Sequence, residues 1–121
     1  MREGESGRYV WFFPDGDLPP AGGGTLEAHE SLIILNPNDQ DAVVIFTIYF
    51  EDREPVRLPA QNVLARRVRC IRMDKPIGDF CLPFGQYSLK LESTVGVVCQ
   101  IGRADTRQPN LSYYTVMGFS G

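Results

Sequence analysis

The chain has 121 residues, with 12 basic and 15 acidic side chains and a net charge of −3. With 43% hydrophobic and 22% charged residues it has globular proportions, which excludes a disordered chain and suits one domain with a core of its own. No apolar run approaches about 18 residues, which excludes a membrane-spanning helix, and acids stand where a leader peptide needs an apolar stretch, so the expected location is cytoplasmic.

Taken in chain order, residues 1–7 are expected to be a flexible lead-in. Residues 8–13 (RYVWFF) predict a short aromatic strand, stopped by the turn Pro14-Asp15-Gly16-Asp17. Residues 18–25 (LPPAGGGT) hold too many prolines and glycines for a ladder or a helix and predict a loop. Residues 30–36 predict a strand and residues 37–41 (PNDQD) a polar turn. Residues 42–50 (AVVIFTIYF) are apolar on both alternating faces and predict a central strand buried on both sides. A turn over 51–55 and a short strand over 56–58 follow. Residues 64–72 predict a strand loaded with Arg66, Arg67, Arg69 and Arg72, and residues 73–85 a long loop. In residues 86–92, Tyr87, Leu89 and Leu91 point one way while Ser88, Lys90 and Glu92 point the other. Residues 95–103 place Val95, Val97, Cys99 and Ile101 on one face. A loop over 105–110 and a closing strand over 111–119 complete the chain. Seven or eight short strands without a helix predict an antiparallel β-sandwich, jelly-roll or immunoglobulin-like, as a single domain over residues 8–121.

Charge is unevenly distributed along this pattern. Residues 1–65 carry 4 arginines and 11 acids, a charge of −7, while residues 66–121 carry 8 basic residues and 4 acids, a charge of +4. Acidic and basic strands are therefore expected to pair inside the fold or between subunits. Arginine outnumbers lysine 10 to 2, which favours bidentate or partly buried ion pairs.

Three polar groupings stand out. If Asn36 pairs near Ala42 in a hairpin, His29 lies opposite Tyr49, and His29, Glu30, Tyr49, Glu51 and Asp52 share one rim. Such a rim is either a hydrogen-bonded strand end or a small pocket with His29 as base or donor. Arg103, Asp105 and Arg107 alternate ahead of Gln108. They form a salt-bridge lattice, or they grip a carboxylate, a phosphate or a polyol. The arginines of 66–72 form a charged edge strand that resists aggregation, or a binding face. That stretch has no interleaved aromatics and the chain is acidic, which counts against nucleic acid.

No catalytic motif is present: there is neither a GxSxG nor a Walker A, and Gly22-Gly23-Gly24 lacks the strand–helix context and lysine of a phosphate cradle. One histidine and an odd count of cysteines (Cys70, Cys81, Cys99) without a CxxC give no basis for a metal site, a disulfide framework or a cofactor. Cys99 lies on an apolar face and reads as core.

His29-Glu30-Ser31, Ile34-Leu35-Asn36, Asp41-Ala42, Tyr49-Phe50-x-Asp52-x-Glu54-Pro55, Ala65-Arg66-Arg67, Val68-x-x-x-Arg72 and Arg103-x-Asp105-x-Arg107-Gln108 occur in one order. That order resembles the sensory rhodopsin transducer family, from about Tyr9 to the C-terminus. The resemblance implies an all-β sandwich that assembles as a homotetramer. It implies a cytoplasmic protein that acts by binding a partner: a membrane-embedded sensory rhodopsin, a sugar-like ligand or DNA, without entering the membrane itself. The residues it singles out for ligand or partner contact are His29, Glu30, Tyr49, Asp52, Arg66, Arg67, Arg103, Asp105, Arg107 and Gln108, and it supplies no catalytic residue. A non-enzymatic signalling module is therefore the first expectation. A small carbohydrate-binding or carbohydrate-processing protein, using His29 and nearby carboxylates, is the alternative.

Overall fold

Apolar side chains alternating with polar ones build strands throughout the computed structural model, which describes residues 4–20, 28–105 and 112–121. The described residues form nine strands and no helix: β1 (Arg8–Leu18), β2 (His29–Asn36), β3 (Ala42–Tyr49), β4 (Val56–Arg57), β5 (Gln61–Val63), β6 (Arg67–Arg72), β7 (Gly85–Asp105), β8 (Ser112–Met117) and β9 (Phe119–Ser120). Every pairing is antiparallel. One layer runs from β4 and β5 through β3, the first half of β7 and β1 to β9; the other runs from β6 through β2 and the second half of β7 to β8. The two layers close a β-sandwich around Phe13, Leu32, Ile34, Phe46, Ile48, Leu89, Leu91 and Ile101.

Strand β7 belongs to both layers. Its residues 88–93 pair with β3 and its residues 98–104 with β2. A straight strand would carry Tyr87 and Arg103 about 53 Å apart at the usual rise, yet both side chains reach Glu30. The strand therefore folds back on itself near its middle, where its register with β1 jumps between Glu92 and Val97. The residues there suit a corner. Ser93 Oγ donates to the Val95 carbonyl at 2.6 Å, and Thr94 Oγ1 accepts the Val43 N–H at 3.0 Å. Gly96 passes so close to the Ser6 carbonyl that any Cβ would overlap it. Asn38 Nδ2 donates to Gly96 O at 2.8 Å, and the Gly96 N–H donates to Glu5 Oε1 at 2.6 Å.

Several expectations are corrected by these pairings. Residues 86–92 and 95–103 are one strand rather than two. The turn over 37–41 is not a hairpin: β2 pairs with β6 and β7, while β3 pairs with β4, β5 and β7. His29 accordingly lies opposite Ala104, and Tyr49 lies opposite Ser88. The cause is Asn36, which is fully buried. Its Nδ2 donates to Gln40 O at 2.8 Å and Val63 O at 3.1 Å, and its Oδ1 accepts the Asn38 N–H at 3.1 Å. These bonds fold the turn across to the other layer. β3 buries only Ala42, Val44, Phe46 and Ile48; its other face is half-buried or exposed, because nothing among the described residues forms a third layer. β1 runs on to Leu18 instead of stopping at Pro14, through a bulge between Phe13 and Gly16. β6 starts at Arg67, because Arg66 turns through a left-handed conformation (φ 55°) and its N–H donates to Asn38 O at 3.0 Å. The closing stretch divides into β8 and β9. Most of the predicted 18–25 and 105–110 loops lies outside the described residues.

Candidate functional site

Glu30 occupies an inward position of β2, in phase with Leu32 and Ile34, and is 0% exposed. A carboxylate so placed requires partners, and three residues on two strands supply them. Arg103, its cross-strand neighbour on β7 and 6% exposed, donates from Nε to Glu30 Oε2 at 2.7 Å. Tyr87, on the other arm of β7, donates its hydroxyl to Glu30 Oε1. The Asp17 N–H, just past the β1 bulge, donates to Glu30 Oε2 at 3.2 Å. The remaining guanidinium nitrogens of Arg103 are also occupied: Nη2 donates to Asp15 O at 2.7 Å and Nη1 to the Tyr114 hydroxyl at 3.0 Å, with the Tyr114 ring centroid 5.2 Å from Cζ. Gly16 makes room for this arrangement, since a Cβ there would sit 2.5 Å from Tyr87 ring carbons.

The electrostatics follow from burial and these bonds. Burial, reinforced by the charge and hydrogen bond of Glu30, pushes the Tyr87 hydroxyl well above its ordinary pKa. Burial alone would lower Arg103, but its hydrogen bonds to Tyr114 and Glu30 and the charge of Glu30 outweigh that and raise it. Both groups stay in their neutral-pH forms, and among the described residues no buried side-chain nitrogen or oxygen lacks a partner. The network behaves as a clamp: it joins the two arms of β7 to β2, the β1 bulge and β8.

The other residues singled out by sequence fall in separate places. His29 is half-buried at the start of β2. Tyr49 ends β3 and lines a 140 Å³ cleft with Phe50, Glu51, Gln86, Tyr87 and Ser88, so it comes next to the clamp through Tyr87 rather than through His29. Asp52 lies beyond it in a second cleft of 310 Å³, with Phe50, Glu51, Arg53, Pro83, Phe84 and Gln86. Its carboxylate takes two bonds from Arg53, at 3.0 and 3.2 Å, and the hydrogen bond and charge of Arg53 hold it below the usual carboxylate range. Arg66 and Arg67 sit at the opposite end of β2, about 20 Å from Glu30 along the strand. Arg66 pairs with Asp39 at 2.6 Å, and Arg67 Nη1 donates to Arg66 O at 3.2 Å. Asp105 ends β7 opposite Ser112. Arg107 and Gln108 lie outside the described residues.

Sequence reasoning passed over Tyr87, Tyr114 and the aromatic pair Phe50 and Phe84. Tyr87 carried a signal, being in phase with Leu89 and Leu91, whereas Tyr114 and Phe84 are brought in by topology alone. Among the described residues no group of three His, Cys, Asp or Glu side chains could hold a metal ion, and no helix is long and apolar enough to cross a membrane.

Comparison with known proteins agrees with this architecture. The family model for the Anabaena sensory rhodopsin transducer matches residues 6–120. Among solved structures, the chain is similar to Thermotoga maritima 1070, at 34% identity over 96% of this chain and 97% of that one, with a TM-score of 0.84. It is also similar to the Anabaena sensory rhodopsin transducer, at 34% identity over 85% of this chain and 93% of that one, with a TM-score of 0.74. No curated protein sequence matches.

Proposed function

The chain belongs to the sensory rhodopsin transducer family, and on that premise we propose that it is a non-enzymatic binding and signalling protein. It works in the cytoplasm as a homotetramer and engages a membrane-embedded sensory rhodopsin or an equivalent protein partner. The observation that supports this reading is the outer face of the β6–β2–β7–β8 layer. There Leu35 lies between Val68 and Val98 in register, and the three are 43%, 64% and 45% exposed. Met117 and the half-buried Ile33 extend the row on the same face. A contiguous apolar row on an otherwise polar sheet is the usual mark of a surface that another protein covers. Arg66, Arg67, Asp105, Arg107 and Gln108 are the polar contacts this reading assigns to such a surface.

The test is light scattering on the purified protein, followed by binding to a sensory rhodopsin in nanodiscs. The wild type is expected to run as a tetramer, and Leu35→Glu to lower its mass or abolish rhodopsin binding. A wild-type monomer that binds no rhodopsin refutes the reading.

A second reading, carbohydrate binding, is favoured by the 310 Å³ cleft. Phe84 is 68% exposed there beside Phe50, and Glu51, Asp52 and Gln86 are at hand. Aromatic faces pack against the C–H face of a sugar while carboxylates and amides bond its hydroxyls. His29, which carbohydrate processing would use as its base, is not among the residues lining that cleft. Calorimetric titration with neutral sugars tests this reading; Phe84→Ala is expected to abolish any heat of binding, and no heat with the wild type refutes it.

A further inference from the structure

The two clefts beyond the end of β3 share Phe50, Glu51 and Gln86 as walls. In the larger one an arginine already sits on an aromatic ring. The Arg53 guanidinium lies over Phe50, with Cζ 4.8 Å from the ring centroid, while Nε and Nη2 donate to the two Asp52 oxygens at 3.0 and 3.2 Å. One aromatic face and one carboxylate are thus filled from within the chain. The same cleft holds a second such set, Phe84 and Glu51. Phe84 is 68% exposed, and among the described residues no cation lies over its ring. Glu51 is exposed, and no described group donates to its carboxylate. Gln86 adds a further acceptor. Its Nε2 is held by β1, donating to Gly16 O at 2.9 Å, and its Oε1 takes no bond from a described residue.

A flat cation suits this unfilled set. A guanidinium stacks its plane on an aromatic face and donates from its edge to a carboxylate and an amide oxygen at once. An ammonium answers the charge but presents no plane to stack. Charge complementarity favours a cation over a neutral ligand: Arg53 answers Asp52, so Glu51 leaves the cleft lining with one negative charge in excess. Pro83, exposed beside Phe84, supplies apolar wall for the residues flanking such a side chain. We propose that this cleft docks an arginine side chain presented by a protein partner. The proposal rests on the reading of the chain as the binder of a protein partner. It fits a membrane-embedded one, because the cytoplasmic loops of membrane proteins carry an excess of arginine and lysine.

The experiment is a magnetic-resonance titration of the isotope-labelled full chain with a capped Gly-Gly-Arg-Gly-Gly peptide, against the same peptide carrying citrulline. Citrulline keeps the size and planarity of arginine without its charge. Saturable shifts are expected at the amides of residues 50–53 and 84–86 with the arginine peptide, and binding about fivefold weaker or more with citrulline. Glu51→Gln should weaken arginine binding about twofold to fivefold and Phe84→Ala about twofold to tenfold. Glu92→Gln, farther along β7, should leave it unchanged. Glu51 and Phe84 are both exposed, so neither change disturbs the core. No shift with arginine, equal affinity for citrulline, affinity unchanged in both Glu51→Gln and Phe84→Ala, or shifts at these amides produced by a neutral sugar in place of the peptide overturn the proposal. Rhodopsin binding that persists alongside any of those results keeps the partner reading standing without this cleft. Arginine binding at these residues in a chain that engages no rhodopsin refutes that reading and upholds the cleft.

Discussion

Replacing Arg103 with methionine keeps most of the side-chain length and removes the charge. Glu30 would then remain 0% exposed with only the Tyr87 hydroxyl and the Asp17 N–H as partners, and the Asp15 carbonyl and Tyr114 hydroxyl would each lose a donor. Leaving one member of a buried ion pair without the other costs about 3–5 kcal/mol. In a chain this long, 1 kcal/mol shifts the melting temperature by about 3–4 °C, so Arg103→Met is expected to melt about 10–20 °C below wild type. The check is thermal unfolding followed by far-ultraviolet circular dichroism, at one protein concentration, because subunit association adds concentration-dependent stability. The reasoning also predicts the double variant Glu30→Gln/Arg103→Met. Glutamine keeps its oxygen as acceptor for the Asp17 N–H and turns its amide donor toward the Tyr87 hydroxyl oxygen, without a stranded charge, so the double variant should melt above Arg103→Met alone. A loss under about 1 kcal/mol for Arg103→Met, or a double variant less stable than the single, would refute the clamp.

Gly16→Ala should destabilise by about 1–3 kcal/mol, read as a lower urea midpoint, because its Cβ would overlap the Tyr87 ring. Tyr87 has a folded-state pKa above its unfolded value of about 10. Its protonated hydroxyl therefore contributes stability that is complete below pH ~10 and is lost as the pH rises beyond it. The stability advantage of wild type over Tyr87→Phe should accordingly shrink in alkaline melts, and a constant difference would contradict this. Burial pushes the Cys99 thiol up to about 12, whereas Cys70 and Cys81 are exposed. Alkylation of the native protein should label Cys81 and reach Cys99 only after unfolding, as peptide mass mapping would register.

Much of the fold could be read from alternation, because in a two-layer sandwich burial follows the side-chain period directly. Tyr87, Leu89 and Leu91 face inward as expected, and so do Val95, Val97, Cys99 and Ile101. Connections were harder to read. A polar turn such as 37–41 has the same composition whether it reverses a strand beside itself or crosses to the other layer, and the deciding group, the Asn36 side chain, acts through Val63, 27 residues away. The break expected near residues 93–94 was a bend instead, since the Ser93 hydroxyl bonds the Val95 carbonyl beside it and the Thr94 hydroxyl bonds the Val43 N–H on β3, which hold the corner within a continuous strand. The clamp had a visible sign that went unused. Glu30 is in phase with Leu32 and Ile34, and Arg103 with Cys99 and Ile101, so each is a charge on an apolar face. The expected pairing of the acidic and basic halves occurs at Glu30–Arg103 and Asp39–Arg66, although Arg72 and Arg53 pair with acids close in sequence.

The doubling back of β7 has a consequence for synthesis. Among the described strands, β1 pairs only with β7 and β9, and Phe13 meets Leu89 across 76 residues of chain. A ribosome adds about 5–20 residues per second. The aromatic stretch of β1 therefore waits roughly 4–14 s after it is made before residues 85–92 exist to pair with it, and longer before they clear the exit tunnel. During that interval Val10, Trp11, Phe12 and Phe13 are a sticky, unpaired strand on a nascent chain, the kind of segment that holding chaperones retain. Protease digestion of ribosome-bound chains stalled at increasing lengths would register the end of the wait. Cleavage within residues 8–18 should persist until residues 85–105 have cleared the tunnel, and earlier protection would mean that β1 finds another partner first.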